Sequence, residues 1–371
     1  MACADFDGQV VRHTTQLKDV LDQFVRVRIV QANAMDLAQF QFDYDLTFAV
    51  FLMNADGTIY GRFGSRSDGK EAARDISMEG FRKAMEAALE LHRNYPANKT
   101  SLAGKKGPAP RFQRPEEYPS LTGKYKATLD YEGKVVQSCM HCHMISEAER
   151  KLHRAGSRPL PDEVLFPWPM PDAVGLTLDP QEKATIVKVA AGSQAAKDGF
   201  KPGDEIVTLD GQPMLSIADA QWVMHTAKEP AKAKAEVRRG GRKLQLTLTL
   251  NKGWRRNSDI AWRPTSWDLR RMAFGGMKMD DMSAEERQGT QLAATQMALL
   301  VKHVGQYGDH ALAKQAGFVK GDILVAVDGR SNRMTESELF AYILQSQPPG
   351  TKLPVSVLRN GQRLNLEMPS Q

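Results

Sequence analysis

Cysteine is nearly absent from this chain, with three among 371 residues, too few for a disulfide framework to hold the fold together. Long apolar runs are missing as well. No stretch approaches the roughly eighteen residues that a membrane-spanning helix needs, so no transmembrane segment is expected. Nor does a secretory signal stand at the start, where MACADFDGQVV turns polar within a few residues. Acidic residues are in the minority, 44 Asp and Glu against 50 Lys and Arg, for a formal charge of +6. What remains is 42% hydrophobic and 25% charged, the composition of a folded chain in water. Its length suits two to four domains.

The positive charge is uneven. Residues 228–271 hold thirteen Lys and Arg against four Asp and Glu. An anionic partner, such as a lipid head group or an acidic protein, is one reading. A solvated strand face and linker is the plainer one, and is preferred. No nucleic-acid partner is expected of an exported chain.

Two of the cysteines fall in one pentapeptide, Cys139-Met140-His141-Cys142-His143. A C-x-x-C-H reads as a covalent haem attachment site. Both thiols add to haem vinyl groups, the spacing of three brings them to one side of a helical turn, and His143 follows as the proximal iron ligand. One haem c is the cofactor this predicts; a thioredoxin-like dithiol and half of a zinc site are the alternatives. For the sixth iron position, Met170 sits between Pro169 and Pro171 on a stiff loop that can return over the ring. A Lys, His92 or an open position are the other choices, and a plain core role for Met170 beneath Trp168 is the bland one. Haem of this kind is attached outside the cytoplasm, so a periplasmic or otherwise exported protein is expected. Its leader would then be left off this chain, or its start would lie upstream of Met1.

Ahead of that motif, QLKDVLDQF (16–24) has helical apolar spacing and VRVRIV (25–30) reads as a strand. FDYDLTFAVFLMNADGTIYGRFG (42–64) reads as two strands about an Asp56-Gly57 turn. A helix follows, capped by Ser77, with Phe81, Met85 and Leu89 on one face. This order resembles the second half of thioredoxin-like proteins. It departs from them in having Leu46-Thr47 where they carry a cis-proline, and Cys3 alone where they carry a C-x-x-C. Cys3 is the candidate attacking thiol of this unit, or a leftover cysteine beside a frayed terminus. Residues 97–121, rich in Pro, Gly and Lys, read as a surface linker, and 124–137 alternate like a hairpin.

The last 200 residues are duplicated. GFKPGDEIVTLDGQP (199–213) matches GFVKGDILVAVDGRS (317–331), and VRRGGRKLQLTL (237–248) matches VLRNGQRLNLEM (357–368). A period of about 118 suits two tandem domains rather than a solenoid. The phrase resembles the PDZ domains of HtrA-type exported proteases. Such domains bind an extended chain terminus by strand addition, with backbone N–H groups receiving its carboxylate. The resemblance puts the peptide-binding loops at Val174, Gly175, Leu176, Thr177 and Leu178, and at Phe274, Gly275, Gly276 and Met277. The groove helices fall near 216–227 and 335–346. GWRRNSDIAWRPTSWDLRRMAFGG (253–276), with three of the five Trp residues, reads as a packed connector.

Taken in order, these phrases resemble the bacterial thioredoxin-like/PDZ (seleno)protein family with a c-type haem motif. The resemblance implies a selenocysteine upstream of Met1 in some members. The expected fold class is multidomain α+β: a thioredoxin-like α/β unit incomplete at its start (1–96), a linker and small haem c segment (97–172), a first PDZ domain (173–252), and a Trp-rich connector with a second PDZ domain (253–371). The first functional reading is an exported single-haem protein for electron transfer or redox sensing, docking on a protein partner or C-terminal peptide through its PDZ pair. A thiol or selenol oxidoreductase and a non-enzymatic PDZ scaffold are the alternatives. With no G-x-S-x-G or other serine-nucleophile context, proteolysis is not expected.

Overall fold

The computed structural model describes residues 17–69 and 74–371; Cys3 lies outside them. The described chain forms two compact units. One holds the residues up to Ile145 together with Phe166–Asp259, the other Ser146–Leu165 with Ile260–Gln371.

The first unit opens with a single helical turn, α1 (Lys18–Leu21), then a hairpin of β1 (Val50–Met53) and β2 (Ile59–Phe63). The expected Asp56-Gly57 turn is there: Gly57 takes φ +83° and Thr58 N–H donates to the Asp56 carboxylate at 2.9 Å. Helix α2 (Met78–Arg93) starts where the sequence places it, because the Ser77 hydroxyl accepts the Gly80 N–H at 2.9 Å. Phe81, Ala84, Met85 and Ala88 line one face of α2 and pack on Leu17, Val20, Leu52, Tyr60 and Phe63. Each large side chain buried there contributes about 1.5–3 kcal/mol.

The thioredoxin-like unit is a correction. No strand forms over 25–30, where Val25 is 95% and Val27 83% exposed, and β1 and β2 remain a two-stranded sheet. A period-two run becomes a strand only where a neighbour takes its backbone groups and one face is buried. Residues 25–30 have neither among the described residues. Nor do residues 124–137 make a hairpin; turns and a short helix, α3 (Val135–Ser138), stand there. The supposed surface linker 97–121 is also partly interior, since Leu102 and Lys105 are buried. The described residues hold thirteen strands and twelve α-helices, most of the helices a single turn or little more.

The duplicated segments build similar strand orders. In the first unit β3 (Leu176–Leu178) pairs β4 (Ile186–Val189), helix α4 spans Gln194–Lys197, and a four-stranded sheet follows. That sheet comprises β5 (Glu205–Leu209), β6 (Gln212–Pro213), β7 (Ala231–Arg239) and β8 (Arg242–Leu250), with helix α5 (Ile217–Thr226) between β6 and β7. The second unit runs α6 (Ser266–Phe274), β9 (Met277–Asp281), β10 (Leu299–Val304), α7 (Leu312–Gln315), β11 (Ile323–Val327), α8 (Glu336–Ser346), β12 (Lys352–Arg359) and β13 (Gln362–Pro369). Its five strands form one sheet in the order β13-β12-β11-β10-β9.

The repeated phrase G-F-x-x-G-D has a physical reason. Asp204 and Asp322 are fully buried. Each closes its own turn by accepting a backbone N–H, from Lys201 at 2.9 Å and from Val319 at 3.0 Å. Each is also clasped by an arginine from the far hairpin: Arg239 reaches Asp204 at 2.6 and 2.7 Å, and Arg359 reaches Asp322 at 2.7 and 2.8 Å. A buried carboxylate needs such a partner, which is why the two halves of the repeat travel together.

Candidate functional site: the strand edge beside helix α5

Residues Pro171–Val174 make one 3-10 turn that ends on Gly175 at φ +92°. A Cβ added there would lie 2.2 Å from the Ser193 Cβ, so the turn requires glycine. The Ala190 N–H donates to the Gly175 carbonyl at 2.8 Å and the Asp179 N–H to Thr185 at 2.8 Å. Hydrogen bonding alternates along a strand, so Leu176 and Leu178 point their amides away from β4. No strand pairs with that edge among the described residues. Leu176 and Leu178 bury their side chains in the core shared with Ile217, Ala220 and Met224 of α5. Thr177 faces solvent. Val174, Gly175, Leu176, Thr177 and Leu178 thus come together as a turn and an open strand edge beside a helix.

Helix α5 is held from its other sides by residues that sequence reasoning passed over. Its N-cap, Ser216, accepts the Ala218 N–H at 3.0 Å and donates to the Arg62 carbonyl at 2.5 Å. Asp219, fully buried, accepts the Leu215 N–H at 3.0 Å and the Arg62 N–H at 3.2 Å, and pairs with the Lys105 ammonium at 2.7 Å. Burial pulls the Lys105 ammonium below the ordinary lysine range, and the Asp219 carboxylate opposes that. The Arg62 guanidinium lies 3.8 Å over the Trp222 ring, whose N–H donates to the Gly104 carbonyl at 2.7 Å. Near the helix C-terminus, Trp168 stacks on His225 with 4.4 Å between centroids, and Gln221 donates to the Trp168 carbonyl at 3.0 Å. The signal for all this was slight: an isolated Asp at the third position of a helix, and one Lys in a segment that looked like linker.

In the second unit Phe274, Gly275, Gly276 and Met277 occupy the matching turn. Gly275 and Gly276 take φ +60° and +93°, and the Gly305 N–H donates to the Gly276 carbonyl at 3.0 Å. Phe274 is buried and stacks on Phe340 at 4.7 Å. Here the outward amide of the edge strand is taken: Met279 N–H donates to the Glu336 carboxylate at 2.8 Å.

The C-x-x-C-H segment does not fit a haem. Cys139 and Cys142 are half-buried, and burial pushes the Cys142 thiol up, away from the thiolate that the dithiol and zinc alternatives need. Met140 between them is interior. His143, the supposed proximal ligand, has its Nδ1 within 2.6 Å of the Tyr44 carbonyl. Met170 packs against the core of the β3–α5 domain, the bland role rather than the distal ligand. Among the described residues no group of three or more His, Cys, Asp or Glu is placed to hold a metal ion.

A family model described as PDZ domain matches residues 172–250, and these residues form a PDZ domain. Chain-end binding by strand addition is what such domains do. The chain is further similar to proteins named probable periplasmic serine endoprotease DegP-like. That of Pseudomonas fluorescens is 27% identical over 178 residues, which are 48% of this chain and 36% of the relative. That of Pseudomonas putida is 26% identical over 186 residues, 50% of this chain and 37% of the relative. The chain thus spans about a third of the length of the curated relatives it matches. Among solved structures, an HtrA-type protease AlgW with decapeptide matches at 17% identity and a TM-score of 0.23, covering 37% of this chain and 47% of that one. An AlgW variant with the same class of ligand gives 16% and 0.26, over 50% and 53%.

These similarities correct several expectations. The exported redox protein with one haem c, its oxidoreductase and scaffold alternatives, and the exclusion of proteolysis all give way, since the relatives are named serine endoproteases. With them go the thioredoxin, cytochrome and selenoprotein parts of the resemblance, while its PDZ part holds. The relatives are periplasmic by name, and this chain is a periplasmic or otherwise exported protein. No described helix is long and apolar enough to cross a membrane.

Proposed function

We propose that this chain works in periplasmic proteolysis of the HtrA/DegP type, and that its PDZ domain captures the chain end of the protein to be degraded. The observation that carries the reading is the open edge of β3, which ends on the left-handed turn at Gly175 and faces α5. A peptide laid there exchanges backbone hydrogen bonds with Leu176 and Leu178, and its terminal carboxylate meets the backbone of the Val174–Gly175 turn. The relatives' names supply the proteolytic context. Residues 253–371 are, on the strength of the repeated phrase and its Asp–Arg clasp, a connector with a second PDZ-type unit.

The test is an equilibrium titration of the full chain with fluorescein-labelled decapeptides bearing a free or an amidated C-terminus. Binding of the free acids alone is expected; equal binding of the amides would contradict terminus capture. For the proteolytic part, unfolded casein should be degraded in a reaction that a serine-directed fluorophosphonate blocks. Intact casein and an unlabelled chain would count against it.

A further inference from the structure

The two duplicated units differ at one groove position. Their helices begin in the same way, with Ser216 capping α5 and Thr335 capping α8, each accepting a backbone N–H through its side chain. The first helical residue after the cap is Ile217 in one and Glu336 in the other. Ile217 is buried in the apolar core. Glu336 is also buried, and its carboxylate reaches across to the edge of β9.

Both carboxylate oxygens of Glu336 are committed. One accepts the Met279 N–H at 2.8 Å and the Arg270 Nε–H at 3.0 Å, and the other accepts the Arg270 Nη2–H at 2.6 Å. Arg270 is fixed in turn, donating to the Ser266 hydroxyl at 2.6 Å and the Ala261 carbonyl at 2.8 Å. A peptide adding to β9 needs the Met279 N–H for its own carbonyl. It would have to displace a buried, charge-assisted acceptor and leave both Glu336 and Arg270 poorly partnered in a dry interior. Among the described residues no side chain is bonded to the β3 edge amides, and at the matching helix position Ile217 cannot accept a hydrogen bond.

We propose that Glu336, held by Arg270, is the specificity-determining residue that closes the β9 edge to chain ends, leaving the β3 edge to take them. This rests on the peptide-capture reading of the first unit. Glu336 acts by occupying a donor, so its effect is to be read in stoichiometry and site affinity.

The experiment titrates the full chain with a free-carboxylate decapeptide by isothermal calorimetry. Wild type should bind one peptide per chain, and R270M/E336I, which removes both charges and copies Ile217, should bind two. Two sites in wild type, or no added site in a folded double variant, would overturn the proposal. Should the double variant not fold, E336Q serves: the amide is a weaker acceptor, and a second site should appear at least tenfold tighter than in wild type. An unchanged isotherm then counts against the proposal. A wild type that binds nothing marks failure of the capture reading alone; the variant must still gain one site, and no gain sinks this inference as well.

Discussion

The two repeated units share their scaffold and differ in what surrounds their groove helices. Both use a buried Asp clasped by an Arg from the far hairpin, Asp204 with Arg239 and Asp322 with Arg359. Beyond that frame they diverge. In the first unit the helix is fixed by Lys105 and Asp219, while among the described residues no further strand pairs with its strand edge. In the second, Glu336 and Arg270 are spent on the strand edge itself. The lesson is that repetition marks what the fold needs, and divergence marks where the units do different work.

The comparison breaks most easily at Lys105. Replacing it with Met leaves Asp219 charged and buried without its cation, and should cost about 3–5 kcal/mol in urea denaturation. The position equivalent to Asp219 in the second helix is Glu338, an exposed capping residue bonded to Thr335 N–H at 2.7 Å. Its replacement by Ala should cost about 1 kcal/mol or less. Equal losses at both positions would mean that the helix of the first unit is not specially anchored.

The shared frame predicts equality instead. Arg239→Met and Arg359→Met each strip a buried carboxylate of its partner, and each should lose about 2–3 kcal/mol, somewhat below a fully buried pair because both arginines are partly exposed. A loss confined to one unit would show that the repeated clasp supports only that unit.

A smaller effect sharpens the groove side. Gly175→Ala forces a side chain into a left-handed turn and against Ser193, for about 1–2 kcal/mol of strain, and should weaken peptide capture. Thermal melting and the peptide titration read the two effects separately. Gly289→Ala, at φ −85° with open space around it, should change neither.

The smallest effect concerns the C-x-x-C-H segment, where the motif suggested chemistry and the fold provides packing. Burial raises the Cys142 thiol pKa, so its alkylation by iodoacetamide should be slow at pH 7 and accelerate only above the ordinary thiol range. Rapid, pH-independent labelling would show an activated thiolate and return the pair to consideration as a reactive site.

What the sequence made legible were features carried by local chemistry. The Asp-Gly turns, the Ser77 cap and the repeated G-F-x-x-G-D phrase each encode a backbone conformation or a buried ion pair, and each is found. The PDZ domain could be read because its turn glycine and its Asp–Arg clasp leave fixed traces. The failures came where packing decides. VRVRIV has the alternation of a strand and no neighbour to make it one. Met170 between two prolines fits a ligand loop and a capping turn equally well, and its surroundings assign it to the core. Five residues spell a haem motif, but among the described residues no group of three or more His, Cys, Asp or Glu is placed to hold a metal ion, and the relatives are named serine endoproteases. Glu336 is an ordinary first-turn acid by sequence, and only the fold shows which amide it holds.

The most direct test of the account is amide hydrogen exchange at Leu176, Leu178 and Met279 in the wild-type chain, with and without a saturating free-carboxylate decapeptide. The Leu176 and Leu178 amides should gain protection when peptide is added, while Met279 is protected throughout. Saturated binding that leaves Leu176 and Leu178 unchanged, or a Met279 amide protected only with peptide, would contradict it.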